Sequence, residues 1–175
     1  EKLAHNMKLL GVEDSEKDDW DFELVNEDGI KIFEKYSNYF DKVLLDAPCS
    51  AEARIDLSVR RSYSYWNEKN IKEHAFLQKK LLFSAWTCLK PGGTLVYSTC
   101  TFAPEENEGQ VAWLKEKFGE EVEIEKIEIN GLVKGKKLDE WKGMKFDKDI
   151  GNSIRILPDK YIEGFFVVKI VKKAA

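Results

Sequence analysis

The chain has 175 residues, 43% hydrophobic and 34% charged, which is the length and composition of one globular domain with a buried core. No apolar run approaches the roughly 18 residues needed to cross a membrane, and the polar start Glu1-Lys2-Leu3-Ala4-His5 is not a secretory signal. Three cysteines in no zinc-like spacing argue against a disulfide framework or a metal site, and a net charge of −4 argues against a broad nucleic-acid surface while allowing a local basic patch.

Reduced thiols suit a cytoplasmic chain. The absence of an initial methionine suggests part of a longer protein. Leu3, Met7 and Leu10 fall at helical spacing, with Gly11 as a C-cap. Asp14 to Asp19 reads as an acidic turn. Phe22-Glu23-Leu24-Val25 reads as a short strand ending at Asn26-Glu27-Asp28-Gly29. Asp28-Gly29 is a turn signal, and local sequence gives Asp28 no role beyond that turn. Residues 30 to 36 form a short helix or turn.

Asp41 to Ala47 is a continuous apolar strand of the kind found buried in parallel sheets, and Pro48 ends it. Residues 51 to 66 read as a long loop mixing Arg54, Arg60 and Arg61 with Tyr63, Tyr65 and Trp66. Such a loop is either functional or a solvated connection with aromatic anchors. Asn67 caps a helix reaching about Leu89. Its Ile71, Ala75, Leu82, Ala85 and Leu89 repeat at helical spacing, with Phe76, Phe83 and Trp86 on an adjacent face. Cys88 reads as a core residue of this helix.

Pro91-Gly92-Gly93 closes the helix and turns into a second strand, Thr94 to Ser98. Pro104-Glu105-Glu106-Asn107-Glu108 then opens a helix, with proline in its first turn and acids at its positive end. Val111, Leu114 and Phe118 are its buried face and Gly119 its stop. Val122 to Ile124 alternates as a strand, and the phase shift at Ile127 and Ile129 suggests a bulge. Residues 130 to 150 are a polar excursion, and Phe165 to Val171 is the last strand. The order is α/β, with the final two strands an antiparallel pair.

Two strands therefore end in polar residues that include a cysteine: Asp46-Ala47-Pro48-Cys49-Ser50 and Ser98-Thr99-Cys100-Thr101. Ligands of open α/β sheets bind beyond the carboxyl ends of strands. Each cysteine alone reads as a buried strand-end residue; the two together suggest a thiol pair. The helix start after Cys100 would favour a thiolate there.

These motifs, with Pro104-Glu105-Glu106-Asn107-Glu108, resemble the two signatures of the RNA cytosine-C5 methyltransferases of the NOL1/NOP2/Sun family. Lys90-Pro91-Gly92-Gly93, Arg155-Ile156-Leu157-Pro158 and Glu163-Gly164-Phe165-Phe166 extend the resemblance over nearly the whole chain. It implies a class I, Rossmann-like methyltransferase sheet within a single catalytic-domain fragment. It implies transfer of a methyl group from S-adenosylmethionine to cytosine in RNA, ribosomal in preference to transfer RNA. Cys100 matches the nucleophile and Cys49 the second cysteine, which helps release the methylated product. Asp46 matches a residue beside the cofactor's methionine end and the cytosine edge, and Asp28 one that bonds its adenine. Arg60 and Arg61, with Tyr63 and Trp66, would contact RNA phosphates or bases. No metal and no membrane are implied, and a monomer is expected.

Two departures stand out. Family members usually carry Gly-x-Gly after the first Pro-Cys-Ser, where this chain has Ala51-Glu52-Ala53. The family's glycine-rich cofactor loop and first two strands would precede Glu1, so weak or no cofactor binding is expected of these 175 residues alone. Three rivals are a thiol redox protein, which would want Cys-x-x-Cys, an amino-group methyltransferase, which would want a Pro-Pro motif, and a DNA cytosine methyltransferase, which would make Cys49 the essential thiol. A non-catalytic RNA-binding or scaffold module is the alternative from a different class.

Overall fold

In chain order the elements are α1 (Lys2–Leu9), α2 (Phe33–Tyr36), β1 (Phe40–Asp46), α3 (Arg60–Tyr63), α4 (Glu68–Cys88), β2 (Leu89–Thr99), α5 (Glu108–Phe118), β3 (Val122–Glu125), β4 (Glu140–Trp141), β5 (Met144–Lys145), β6 (Ile154–Ile156) and β7 (Phe165–Lys172). The computed structural model describes residues 2–11 and 22–174. The acidic turn expected at Asp14 to Asp19 lies outside them.

α4 anchors the fold. Asn67 caps it, its side-chain oxygen accepting a 2.8 Å hydrogen bond from the Asn70 N–H, which satisfies one of the donors a helix start leaves open. Ile71, Leu82 and Ala85 are buried along its inner face, and Leu89 continues that line into β2. On the adjacent face Trp86 is buried, but Phe76 is 63% exposed. Cys88 is buried as expected.

The helical face packs on a mixed sheet. β1 runs parallel to β2, and β2 pairs antiparallel with β7. β3 and β6 both lie antiparallel to β7, on opposite halves of it. Leu95, Tyr97, Phe166, Val168 and Ile170 point from the sheet into the core, where they meet Leu82, Trp86, Val111 and Leu114 of α4 and α5. The Lys172 Nζ at the end of β7 donates to the carbonyls of Trp86 (3.2 Å) and Leu89 (2.8 Å), closing the end of α4. A cation suits those carbonyls because they carry the negative end of the helix.

Several expectations need correction. Phe22 to Val25 joins neither sheet, and Leu24 and Val25 are exposed. A strand is held by the ladder it joins, and among the described residues this segment is in no ladder. β1 is not buried on both faces: Leu44 is 72% exposed, and among the described residues the strand has β2 as its one partner. Lys90 to Gly93 does not precede the second strand but bulges within it, since Phe40 pairs with Leu89 and Lys42 already with Thr94. The loop at 51 to 66 contains the single turn α3. α5 begins at Glu108, and Pro104 to Asn107 is a separate turn closed by the Gly109 N–H on the Pro104 carbonyl (2.8 Å). β3 stops at Glu125 with no bulge at Ile127 and Ile129, and the polar excursion carries the β4–β5 hairpin. β6 has no counterpart in the sequence reading.

Candidate functional site

The site lies where β1 and β2 end side by side. Their parallel register pairs Asp46 with Ser98, and one more backbone bond, Ala47 N–H to Ser98 carbonyl at 3.1 Å, carries the alignment past the strands. Pro48 then breaks the ladder and turns Cys49 toward Cys100. The two sulfurs stand 3.1 Å apart, each on a half-buried residue. The next residues also meet: the Ser50 and Thr101 hydroxyls are 2.9 Å apart. The Ala53 N–H on the Cys100 carbonyl (3.3 Å) closes the loop over the second strand.

Burial, and then the hydrogen bond with Cys100, push the Cys49 thiol up to about 12. Desolvation penalises the thiolate, so Cys49 is protonated at neutral pH. It is placed to donate an S–H hydrogen bond to the Cys100 sulfur.

A buried polar network supports both cysteines. Glu106 is fully buried, and its carboxylate accepts from the Ser50 N–H (3.0 Å), the Ser50 hydroxyl and the Gln78 Nε2 (2.8 Å). Burial raises its pKa, while those donors pull it back. The Tyr97 hydroxyl donates to the Glu106 carbonyl (2.7 Å). Asn107 accepts from the Thr99 hydroxyl (2.6 Å) and donates to the Thr101 carbonyl (2.9 Å), bracketing Cys100. Arg155 pairs with Glu108 and donates to the Phe102 carbonyl (2.8 Å). Gly164 lets Phe102 approach: a Cβ there would lie 2.4 Å from its Cζ.

The other residues singled out in the sequence are less gathered. Asp46 is exposed at the strand end and accepts a 3.3 Å hydrogen bond from the Ser98 hydroxyl. Asp28 closes its own turn through the Ile30 N–H (3.0 Å) and is exposed. Arg60 and Arg61 are exposed on α3, and neither makes an ion pair among the described residues. Arg54 pairs instead with Glu163 at 2.7 Å. The Ala51-Glu52-Ala53 departure has a structural signature. Ala51 adopts the left-handed conformation, φ +59°, that glycine takes without strain. Glu52 accepts from the Trp66 indole, and Ala53 is buried.

Sequence reasoning missed Glu106, Gln78 and Arg155 as parts of the site. Glu106 and Arg155 lay inside motifs that carried the resemblance without being given a place in the site, and Gln78 left its own signal, a polar residue in the apolar stripe between Ala75 and Leu82. Among the described residues no group of three potential ligands could hold a metal, and no helix is long and apolar enough to cross a membrane.

The chain is similar to known methyltransferases. A "tRNA (cytosine(49)-C(5))-methyltransferase" of Pyrococcus abyssi is 40% identical over 144 residues, covering 80% of this chain and 44% of its own. A "Ribosomal RNA small subunit methyltransferase F" of Vibrio campbellii is 39% identical over 137 residues, covering 78% of this chain and 26% of its own. The chain thus spans less than half the length of these curated relatives. Among solved structures, NSun6 from Pyrococcus horikoshii with SFG matches 99% of this chain and 38% of its own, at 31% identity and a TM-score of 0.73. A methyltransferase homolog protein from Pyrococcus horikoshii gives the same TM-score at 32% identity, over 98% of this chain and 48% of its own. Residues 1–171 match the family model described as "16S rRNA methyltransferase RsmB/F", and the chain belongs to that family.

Proposed function

We propose that this chain carries the thiol pair of an S-adenosylmethionine-dependent RNA cytosine-C5 methyltransferase and forms part of its catalytic domain. The observation that supports this most is the 3.1 Å approach of the Cys49 and Cys100 sulfurs at neighbouring strand ends. Cys100 attacks carbon 6 of an unstacked cytosine, forming a C–S bond and moving the ring's electron pair to carbon 5. Carbon 5 then becomes nucleophilic enough to be methylated. Loss of its proton to solvent water returns the electron pair to the ring, breaks the C–S bond and frees the Cys100 thiolate. Cys49, still protonated, donates a hydrogen bond to that leaving sulfur and so helps release.

Family membership implies S-adenosylmethionine, which when bound supplies the electrophilic methyl group. The acceptors present suit its amino groups: Asp46 and Asp28 are exposed carboxylates, each holding only weak or local hydrogen bonds. Asp46 would also face the cytosine edge, and Arg60 and Arg61 would meet RNA phosphates. Among the described residues nothing pairs with the second edge of β1, and this and the exposed Leu44 support a sheet with further strands beside β1. Ribosomal RNA is the favoured substrate on the family description. The 40% identical transfer-RNA enzyme carries the second reading, a transfer RNA.

The test is covalent trapping in the full-length protein with S-adenosylmethionine and RNA containing 5-azacytosine. The expected result is an adduct on denaturing gels that Cys100→Ala abolishes and Cys49→Ala does not. Loss in Cys49→Ala alone would transfer the nucleophile to Cys49, as in the DNA-type assignment. RNA binding with no adduct in any form would leave a binding module.

A further inference from the structure

Cys49 is flanked by two peptide groups that the protein interior grips. On one side the Gln78 Nε2 donates to the Pro48 carbonyl at 2.9 Å. On the other the Ser50 N–H donates to the Glu106 carboxylate at 3.0 Å. The same Gln78 nitrogen also donates to Glu106 at 2.8 Å, so the two grips are one unit. We propose that Gln78 and Glu106 form a buried clamp that fixes Cys49 against Cys100, making them positioning residues for release of the RNA adduct. This rests on the thiol-pair reading above.

The chemistry of the clamp is unlike ordinary packing. Gln78 occupies a fully buried place in the stripe of α4, where its neighbours along the face are Ile71, Leu82 and Ala85. An apolar residue there would continue the core. Both groups facing the Gln78 amide nitrogen are acceptors, so the amide has one orientation. That orientation leaves its Oε1 buried without a hydrogen-bond partner. Glu106 is a fully buried carboxylate with no ion pair among the described residues. Ser50 N–H and Gln78 Nε2 share one carboxylate oxygen and the Ser50 hydroxyl takes the other, so a neutral Gln would present a donor where the hydroxyl now donates and weaken the charge that both clamp bonds meet. Two unfavourable burials thus converge on the residue between them, Cys49.

The clamp grips both peptide groups flanking Cys49 directly, and meets the Cys100 loop only through the Ser50–Thr101 hydroxyl contact. Cys100 is bracketed separately, by Asn107 on Thr99 and Thr101. Loosening the clamp therefore moves the sulfur that assists departure and leaves the attacking sulfur in place. The signature is an adduct that forms normally and persists.

The test uses the full-length protein with S-adenosylmethionine and RNA carrying ordinary cytosine, in Gln78→Leu, Glu106→Gln and Cys49→Ala. Gln78→Leu fills the stripe with its own residue type and removes both donors. The expected result is accumulation of the Cys100–RNA adduct on denaturing gels in all three. Single-turnover methyl transfer stays near the parent rate in the clamp variants, while multiple turnover falls by about tenfold or more, the scale of a misplaced group in a site. A merely structural role would lower both together. The proposal is overturned if folded Gln78→Leu turns over like the parent without adduct, if adduct formation falls in step with turnover, or if neither clamp variant folds. If Cys49→Ala accumulates no adduct, the thiol-pair reading itself fails. If it does and the clamp variants do not, only the clamp fails.

Discussion

Ser50 and Thr101, each the residue directly after a cysteine, join through hydroxyls 2.9 Å apart. Two loops from different strands are pinned one residue beyond their sulfurs. Thr101 also accepts from the Ala103 N–H at 3.3 Å, and both hydroxyls are buried. Thr101→Val keeps the shape and removes the polar link. It leaves the Ala103 N–H without that acceptor, and a buried unsatisfied group costs about 1–3 kcal/mol. Urea denaturation of the chain should show a loss of that size, and diamide should form the Cys49–Cys100 disulfide more slowly than in the parent. Unchanged disulfide formation would show that the pin does not set the sulfur spacing.

Cys49 should behave as a thiol across the neutral range. With its pKa pushed up to about 12, first by burial and then by Cys100, iodoacetamide should modify it slowly until strongly alkaline pH. In Cys100→Ala the hydrogen-bond contribution goes and the burial contribution stays. Its apparent pKa should then fall while remaining above the ordinary thiol value. The sign for stability follows: the folded chain holds this proton more tightly than the unfolded one. The contribution is complete below the ordinary 9.0 and is lost as pH rises toward about 12. Alkylation followed by mass spectrometry resolves the cysteines, and a Cys49 rate that climbs at the ordinary thiol pKa would contradict the geometry.

The elements best read from sequence were those whose own pattern decides them. α4 carries its cap at Asn67 and its stripe from Ile71 to Ala85, and both are local facts. The two cysteines could be placed at neighbouring strand ends because each follows an apolar run that stops abruptly. What failed was decided elsewhere in the chain. Pro104-Glu105-Glu106-Asn107 has the composition of a helix start, yet Glu106 turns inward because Ser50 and Gln78, far away in sequence, supply its donors. Leu44 belongs to an apolar run, but its burial depends on what covers that face of β1, which the run does not encode. β6 is three residues long, too short for alternation to be read.

Ala51→Gly should be tolerated or stabilising. A non-glycine residue in the left-handed region costs about 1–2 kcal/mol, and Ala51 sits there at φ +59°. Glycine relieves that strain but frees the unfolded chain, an opposing effect of about 0.4–1 kcal/mol. The net expectation lies between no change and about 1.6 kcal/mol of stabilisation. Ala53→Gly should do the opposite, because Ala53 is buried and has no positive φ to relieve. Thermal melts of the two variants in parallel decide this, and equal destabilisation would remove the conformational explanation for the departure at Ala51.

Arg155 and Glu108 should prove coupled. Arg155 Nε donates to Glu108 at 3.0 Å and its Nη1 to the Phe102 carbonyl at 2.8 Å, tying β6 to the start of α5 and to the residue two after Cys100. The Glu108 side chain is 3% exposed and that of Arg155 11%. Removing one partner of a buried pair strands the other charge and costs about 3–5 kcal/mol, whereas replacing both with apolar groups is often close to neutral. Arg155→Met should therefore destabilise strongly, and Arg155→Met with Glu108→Leu should recover most of that loss. The carbonyl of Phe102 loses its donor in both, so recovery should stop short of the parent by about 1–3 kcal/mol, the cost of leaving that group without its charged partner. Urea denaturation of both single variants and the double variant measures the coupling directly. If Arg155→Met costs under about 1 kcal/mol, the pair behaves like a solvent-screened surface bridge, and it does not hold the Phe102 carbonyl beside the cysteine loop.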